Sequence, residues 1–325
     1  CFFTYSMKRG WTFVQLLVAG PPDAMHGAQA DVRSRSVRCF AEAGHHRMVY
    51  DDYGPADLSH AVVCVHGLTR NARDFARLAG ALAEEGWRVL APDVAGRARS
   101  EPLADASKYG VPQYVADITT MLAHARVETV DWIGTSMGGL IGMGLAATPG
   151  HPIRRMALND VGPRVPKEAL RRIADYVGVA WRFEDFDTAV VHLKKAYEPF
   201  GLTEEADWRE LADISLRHET DGSFTNNYDL RIAEPFKAMA DEDLDLWWLW
   251  DAVKLPEPPL VIRGATSDLL LAEDLTAMAG RGPGARPVEI AGCGHAPTLM
   301  VPDQIRIVRD WLAEAPAPTQ PEAAR

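Results

Sequence analysis

The sequence predicts an α/β protein: a mostly parallel β-sheet flanked by helices, with a helical segment inserted into the fold. Strand-like and helix-like patterns alternate along the chain, and the clearest strand-like run is continuously apolar, which is typical of a buried parallel strand. The alternation stops between residues 162 and 255 and then resumes. With 325 residues, of which 47% are hydrophobic, the chain is long enough to bury a large core.

The first half of the chain carries the regular alternation. The predicted strands lie at residues 37–43, 46–50, 61–65, 87–91, 129–133 and 153–158. The predicted helices among them lie at residues 71–85, 111–125 and 139–147. We expect the first two strands to form an antiparallel pair and the later strands to lie parallel, because helices on both faces connect them.

The second half contains the insertion and the end of the sheet. Residues 162–255 show helical segments and many charges but no convincing buried strand, so we expect a mostly helical insertion there. The later predicted elements are strands at 260–264 and 286–290 and helices at 272–279 and 303–313. The predicted core therefore consists of residues 34–161 and 256–314.

Both ends of the chain are expected to lie outside this core. Residues 1–33 are interpreted as a leader that is disordered or not native, and residues 315–325 as a frayed tail rich in proline and alanine. The leader only loosely resembles a secretory signal, so we expect a cytoplasmic protein, with a secreted or periplasmic location as the alternative. No apolar run is long enough for a transmembrane helix, so we expect no membrane insertion.

The composition argues against several classes of function. The net charge of −11 provides no basic footprint for nucleic acid and little attraction to anionic membranes. The spacing of the four cysteines fits neither a zinc site nor a disulfide framework. The chain also has no nucleotide-binding fingerprint. We therefore expect no metal and no organic cofactor, and a small-molecule substrate as the ligand.

The most informative motif is Gly134-Thr135-Ser136-Met137-Gly138, which fits the pattern G-x-S-x-G. A β-rich segment precedes it and a run of small and apolar residues follows it, so the motif reads as strand, tight turn and helix. Such a turn holds the serine in a strained backbone conformation, and the flanking glycines remove side chains that would clash. The sequence therefore predicts that Ser136 is a nucleophile, with an incidental serine in a glycine-rich turn as the alternative.

A nucleophilic serine needs a base and a carboxylate that orients the base. Asp268 follows the strand at 260–264, and His295 lies in a glycine-rich loop after the last strand. All three side chains then project from the carboxyl edge of the sheet, where open α/β sheets place their sites. We therefore predict Ser136, His295 and Asp268 as the catalytic triad. Asp160, which follows the strand at 153–158, remains the competing acid.

The predicted chemistry also needs two hydrogen-bond donors for a developing oxyanion. One is predicted to be the backbone N–H of Met137, directly after the nucleophile. The other is predicted to be the N–H of Leu68, in the loop after the strand that ends at His66-Gly67. His66 itself is expected to be structural.

Five motifs in this order resemble the α/β-hydrolase superfamily, in particular its serine esterase branch of bacterial carboxylesterases and lactonases. They are His66-Gly67, Asp93-x-x-Gly96-x-x-x-Ser100, Gly134-x-Ser136-x-Gly138, Ser267-Asp268 and Gly294-His295. The similarity covers residues 37–313. It departs from the family pattern at Ala98, where the family usually has a glycine. The resemblance implies that residues 162–255 form a helical cap over the site, and Ser136 disfavours relatives with an aspartate nucleophile.

The expected activity is hydrolysis of carboxylic esters through an acyl-enzyme. The expected substrates are short- or medium-chain esters or aryl esters, with lactones and hydroxyalkanoate oligomers among the options that the family's breadth suggests. Two alternatives use the same triad, namely hydrolysis of C–C bonds and acyl transfer to an alcohol. A third alternative is a ligand receptor of the same fold that does not catalyse turnover, since fold alone does not decide function.

Four residues are candidates for the substrate pocket. Trp247, Trp248 and Trp250 could line an apolar acyl or alcohol pocket, or they could pin the insertion to the core. Arg70 follows the oxyanion loop and could contact a substrate carboxylate, with a surface ion pair as the alternative.

Overall fold

The computed structural model describes residues 32–238 and 241–314. The predicted tail at 315–325 lies outside the described residues, and so does the predicted leader up to residue 31. The first strand begins at Val32, so the last two residues assigned to the leader belong to the sheet instead.

The described ranges contain thirteen strands and ten α-helices. The strands are β1 (Val32–Ala41), β2 (Gly44–Tyr53), β3 (His60–Val65), β4 (Val89–Asp93), β5 (Thr129–Thr135), β6 (Ile153–Asn159), β7 (Arg164–Val165), β8 (Arg182–Phe183), β9 (Leu216–His218), β10 (Phe224–Asn226), β11 (Leu244–Asp245), β12 (Leu260–Gly264) and β13 (Arg286–Ile290). The helices are α1 (Ala76–Glu84), α2 (Val111–Ala125), α3 (Met137–Ala146), α4 (Lys167–Ala174), α5 (Phe186–Ala196), α6 (Glu205–Ser215), α7 (Ala233–Ala238), α8 (Trp247–Ala252), α9 (Ala272–Ala279) and α10 (Pro302–Ala313).

Eight of these strands form one central sheet in the order β1-β2-β4-β3-β5-β6-β12-β13. The β1/β2 and β2/β4 pairs are antiparallel, and the remaining pairs are parallel. This arrangement confirms the predicted fold class. The carboxyl ends of β3, β5, β6 and β12 consequently meet along one edge of the sheet.

The sheet has an apolar layer on each face, which β3 illustrates. All six of its residues are buried. Ala61, Val63 and Val65 pack into one core cluster, while Val62 and Cys64 pack into the cluster on the opposite face. Successive side chains of a strand point to opposite faces, so a strand buried on both sides reads as a continuous apolar run.

Between β6 and β12 the chain forms a separate set of elements, α4 to α8, with five short strands. Strands β8, β10 and β9 form a three-stranded sheet, and β7 pairs with β11. The sequence prediction missed these strands because each has only two or three residues, which is too short for an alternating pattern to be recognised. We call residues 162–255 the insertion from here on.

The insertion is packed in two different ways. Leu170 and Ile173 of α4 belong to the same apolar cluster as residues of the central sheet. Helices α5 and α6 instead pack mainly against each other and against the short strands, with Met300 as a buried contribution from outside the insertion. Among the described residues, no helix combines the length and apolar character needed to cross a bilayer.

Candidate active site

Ser136 occupies the sharp turn between β5 and α3. Its backbone has φ +52° and ψ −115°, a conformation that side-chain-bearing residues rarely adopt and that strained functional turns retain. A Cβ atom on Gly138 would lie 2.0 Å from the carbonyl oxygen of Val65, and one on Gly134 would lie 2.4 Å from the backbone of Gly138. The two motif glycines are therefore required by close backbone approach, and the turn presents Ser136 at the start of α3.

His295 is paired with Asp160. The Nδ1 atom of His295 lies 2.8 Å from Oδ2 of Asp160, whose side chain is fully buried at the end of β6. The same carboxylate accepts hydrogen bonds from Ser267 Oγ at 2.6 Å and from the backbone N–H of Gly264 at 2.9 Å. These donors fix the carboxylate, and an imidazole held at Nδ1 in this way presents Nε2 as a base.

The choice of Asp268 as the acid of the triad is corrected by this geometry. Asp268 is about half exposed, and its carboxylate makes a two-point ion pair with Arg172 of α4, at 2.6 and 2.8 Å. The neighbouring Ser267 turns inward to Asp160, so Asp268 points to the insertion instead. Asp160, the competing candidate, is the aspartate beside His295. The sequence could not separate the two because both follow parallel strands whose ends meet at one sheet edge.

Ser136 and His295 line the same cavity, which has a volume of about 50 Å³. The core contributes the loop at residues 67–70, residues 135–136 and residues 295–296 to its wall, and the insertion contributes the rest. The apolar and aromatic part of the wall from the insertion includes Ile173, Tyr176, Tyr197 and Phe200. These wall residues place the insertion directly against the candidate nucleophile.

His66 holds the loop that is predicted to bind the oxyanion, through two hydrogen bonds of its ring. Its ring is fully buried, accepts the backbone N–H of Val94 at Nε2, and donates from Nδ1 to the carbonyl of Gly67 at 2.7 Å. Burial lowers the pKa of His66 to about 3, so the ring is neutral. His66 is thus a structural support of the loop, and Leu68 lies at the wall of the cavity.

Arg97 is a further support that the sequence did not reveal. Its side chain is fully buried and donates from Nε to the carbonyl of Leu68 at 3.0 Å and from Nη1 to the Tyr114 hydroxyl at 2.9 Å. Its Nη2 lies 3.5 Å from the sulfur of Met137. No carboxylate of the described residues lies within ion-pair distance of Arg97, and the rings of Tyr109 and Tyr114 pack against the guanidinium instead.

Ala98 follows Arg97 in this loop and is the departure from the family pattern noted in the sequence. Its φ of +41° lies in the left-handed region, which explains why a glycine usually stands there. The substitution leaves the loop folded, since the N–H of Ala98 donates to the carbonyl of Asn227 in the insertion.

Comparison with known proteins places this geometry in a family. A model of the alpha/beta hydrolase fold matches residues 60–299. The chain belongs to this family. It is similar to a 3-hydroxybutyrate-oligomer hydrolase of Cupriavidus necator, with 45% identity over 294 residues that cover 88% of this chain and 99% of the relative. It is also similar to a pimeloyl-[acyl-carrier protein] methyl ester esterase of Xanthomonas campestris, with 28% identity over 75% of this chain and 91% of the relative.

Solved structures agree with this assignment. An alpha/beta hydrolase from Novosphingobium aromaticivorans superimposes with a TM-score of 0.79 and 37% identity, over 89% of this chain and all of that one. Together, the relatives confirm the predicted enzyme class, an ester hydrolase of the alpha/beta hydrolase fold.

The tryptophans of α8 do not line the cavity of this hydrolase. Trp250 is fully buried and donates its indole N–H to the carbonyl of Arg281 at 2.9 Å, while Trp247 packs under the Arg281 guanidinium. Trp248 is 67% exposed. Trp250 and Trp247 therefore fit the alternative prediction, in which these rings attach the insertion to the core. The cavity takes its aromatic wall from Tyr176, Tyr197 and Phe200 instead.

Arg70 does line the cavity, but all its polar atoms already have partners. Its Nε and Nη2 atoms bind the carboxylate of Asp74, and Nη1 bonds to the hydroxyl of Ser215 in α6. The guanidinium also packs on the ring of Tyr197. The pair with Asp74 is buried, so Arg70 connects the loop at 67–70 to the insertion and is not part of a surface ion pair.

One cluster of ligand-type side chains lies elsewhere, between β1, β2 and α2. Cys39, His46 and Asp117 bring one potential ligand atom each to within 4.8 Å of one another, and all three are buried. Asp117 already accepts hydrogen bonds from Gln113 and pairs with His46 Nε2 at 3.0 Å. Burial raises the pKa of the Cys39 thiol to about 12, so the thiol is protonated at neutral pH.

Proposed function

We propose that this hydrolase cleaves the ester bonds of short 3-hydroxybutyrate oligomers. The observation that carries the proposal is the 45% identity to a 3-hydroxybutyrate-oligomer hydrolase over 99% of that protein's length. The cavity beside Ser136 is small, about 50 Å³, and the insertion forms part of its wall, which favours a short substrate over a polymer chain.

In this proposal Ser136, His295 and Asp160 act as the catalytic triad. Ser136 Oγ attacks the acyl carbon, and His295 takes the proton and returns it to the leaving alcohol. Asp160 holds the imidazole through Nδ1 and stabilises its charged form. Water, activated by His295 in the same way, then hydrolyses the acyl-enzyme.

The backbone N–H groups of Leu68 and Met137 are the proposed donors to the oxyanion. Met137 is the first residue of α3, so its N–H lies at a helix N-terminus, where partial positive charge favours an anion. Leu68 belongs to the loop that His66 and Arg97 hold in place. Donors fixed before the reaction cost no reorganisation when negative charge develops.

The direct test is hydrolysis of the 3-hydroxybutyrate dimer and trimer by the wild type and by Ser136→Ala. We expect release of 3-hydroxybutyrate by the wild type and a loss of at least about 10⁴-fold in the variant. A p-nitrophenyl ester series, measured in parallel, reports on general esterase activity. Turnover of those esters without turnover of either oligomer would overturn the proposed substrate while leaving the esterase class intact.

A further inference from the structure

We propose that Arg172 binds the free carboxylate at the end of the oligomer, so that the enzyme removes one hydroxy acid at a time from that end. This inference rests on the proposed function, because it concerns how the same cavity selects its substrate. It assigns a role in binding to a residue of α4, in the insertion, that no sequence motif marks.

The wall of the cavity contains positively charged side chains and no negatively charged ones. Arg70 and Arg172 are among its lining residues, whereas none of the residues lining it is an aspartate or a glutamate. The rest of the wall is largely apolar or aromatic. A guanidinium at the cavity wall attracts a carboxylate through charge-assisted hydrogen bonds, and because Arg172 is 37% exposed, water screens part of this attraction.

The two arginines differ in which atoms are available. All three nitrogen atoms of Arg70 already bond to Asp74 and Ser215. Arg172 uses only Nε and Nη2, which bind the carboxylate of Asp268 at 2.6 and 2.8 Å. Its Nη1 has no hydrogen-bond partner among the described residues, and this is the atom that the proposal assigns to the substrate.

Asp268 gives this arrangement its rigidity. The two-point contact fixes the plane of the Arg172 guanidinium, so the remaining N–H donors are oriented before substrate arrives. Asp268 is about half exposed and does not line the cavity, so its own charge is partly screened by water. The aspartate first predicted to be part of the triad thus becomes a positioning residue for substrate binding.

The chemistry of the substrate fits a carboxylate subsite next to the nucleophile. In the last unit of the oligomer, two carbon atoms separate the ester oxygen from the free carboxyl group. With that carboxylate on Arg172, the last ester bond is the one presented to Ser136. The bond from Ser136 Oγ to the acyl carbon forms, the bond from that carbon to the terminal hydroxy acid breaks, and His295 supplies the proton to the departing oxygen.

The test compares two dimers that differ only in charge: the free acid and its terminal primary amide. Release of the terminal unit is measured by chromatography for the wild type, Arg172→Gln and Arg172→Lys. We expect the wild type to favour the acid, and we expect Arg172→Gln to lower the acid-to-amide ratio of kcat/KM by about 10- to 100-fold, mainly through KM. Arg172→Lys should recover part of the ratio, because it keeps the charge and loses the planar fork.

Arg171→Gln is the matched control. Arg171 precedes Arg172 in α4, is exposed, and pairs weakly with Asp241 at 3.6 Å outside the cavity. The control removes the same charge from the same helix, so its ratio should equal that of the wild type. Thermal unfolding of each variant shows whether it is folded.

The possible failures are distinguishable. If the wild type cleaves the acid and Arg172→Gln keeps the same acid-to-amide ratio, the inference is overturned and the proposed function stands. An equal fall in Arg171→Gln would also overturn it, because the effect would then come from the overall charge of the helix. If the wild type cleaves p-nitrophenyl butyrate but neither dimer, both the proposed function and this inference are overturned.

Discussion

At the scale of single residues, the two aspartates at the sheet edge have separate tasks. Asp160 is fully buried and accepts three hydrogen bonds, including the one from His295. Asp268 lies on the outer side of the same edge and pairs with Arg172. The sequence does not show which of these two carboxylates binds His295, but in the structure they differ in burial and in hydrogen-bonding partner.

Exchanging each aspartate for asparagine tests this assignment. We expect Asp160→Asn to lower kcat for p-nitrophenyl butyrate by about 10³- to 10⁴-fold, because an amide can donate to the imidazole and stabilise the wrong tautomer. Asp268→Asn should lower it by less than about tenfold. The measurement is steady-state kinetics on both variants, with thermal unfolding as the control for folding. Comparable losses in the two variants would contradict the assignment of Asp160.

The proposed nucleophile and base, Ser136 and His295, could be singled out from the sequence because each is marked by its neighbours. Gly134 and Gly138 are imposed by backbone approach around Ser136, and Gly294 precedes His295. Arg97 and Arg172 carry no such mark, because their partners lie far away along the chain. Arg172 contacts a residue 96 positions away, and nothing within its own helix indicates this.

At the scale of elements, the loop after β3 depends on a neutral histidine beneath it. Burial lowers the pKa of His66 to about 3, whereas an unfolded histidine titrates near 6.5. The folded state therefore binds fewer protons than the unfolded state between these values. The stability that His66 contributes is fully present above about pH 6.5 and falls by about 1.4 kcal/mol per pH unit as the pH drops towards 3.

His66→Gln removes this titration. We expect its free energy of unfolding, measured with urea between about pH 6 and pH 4, to fall less steeply with decreasing pH than that of the wild type. The difference between the two slopes should be about 1.4 kcal/mol per pH unit. His45→Gln is the matched control, because His45 is exposed on β2 and its ring stays in water in both states. Identical slopes for the wild type and His66→Gln would show that the buried ring is not neutral. His66→Asn serves as a second variant if the first does not fold.

The elements of the central sheet were predictable because a buried parallel strand is apolar throughout, as β3 is. The short strands β7 to β11 were not, because two or three residues form a strand only when a distant partner is present. The pairing of Arg164 with Asp245, for example, joins residues that are far apart along the chain.

At the scale of the whole molecule, ion pairs help to hold α6 against the core, beside the buried hydrogen bonds that Arg70 and Asn71 make to this helix. Arg73, just before α1, pairs with Asp213 of α6 at 2.8 Å. Arg77, within α1, pairs with Asp207 of α6 at 2.8 Å and also with Glu210. These contacts are partly exposed, so each is worth at most about 1 kcal/mol and is weakened by salt. Helix α4 also has an exposed ion pair with the core, Arg172 with Asp268, but its apolar residues belong to the same cluster as the sheet.

Salt should therefore loosen α6 more than α4. We expect about 1 M NaCl, where the Debye length is about 3 Å, to speed amide hydrogen exchange in residues 205–215. Exchange in residues 167–174 should change less, since Leu170 and Ile173 hold α4 to the sheet by apolar packing, which does not weaken with NaCl, even though salt weakens the Arg172–Asp268 pair. Mass spectrometry of peptides from both helices gives the comparison. Unchanged exchange in residues 205–215 would show that Met300 and its apolar neighbours hold α6 in place.

The hydrogen bonds around Asp160 also join the two ends of the insertion. Asp160 comes just before it, and its backbone N–H donates to the carbonyl of Ile262, in the strand that comes just after it. Its carboxylate then accepts from Gly264 and Ser267. The long excursion of the chain between these points is thus a loop whose base is already closed by the residues of the reaction centre. Replacing the insertion with the corresponding segment of a relative would therefore exchange its part of the cavity wall and leave the pairing of Asp160 with His295 in place, because neither residue belongs to the insertion.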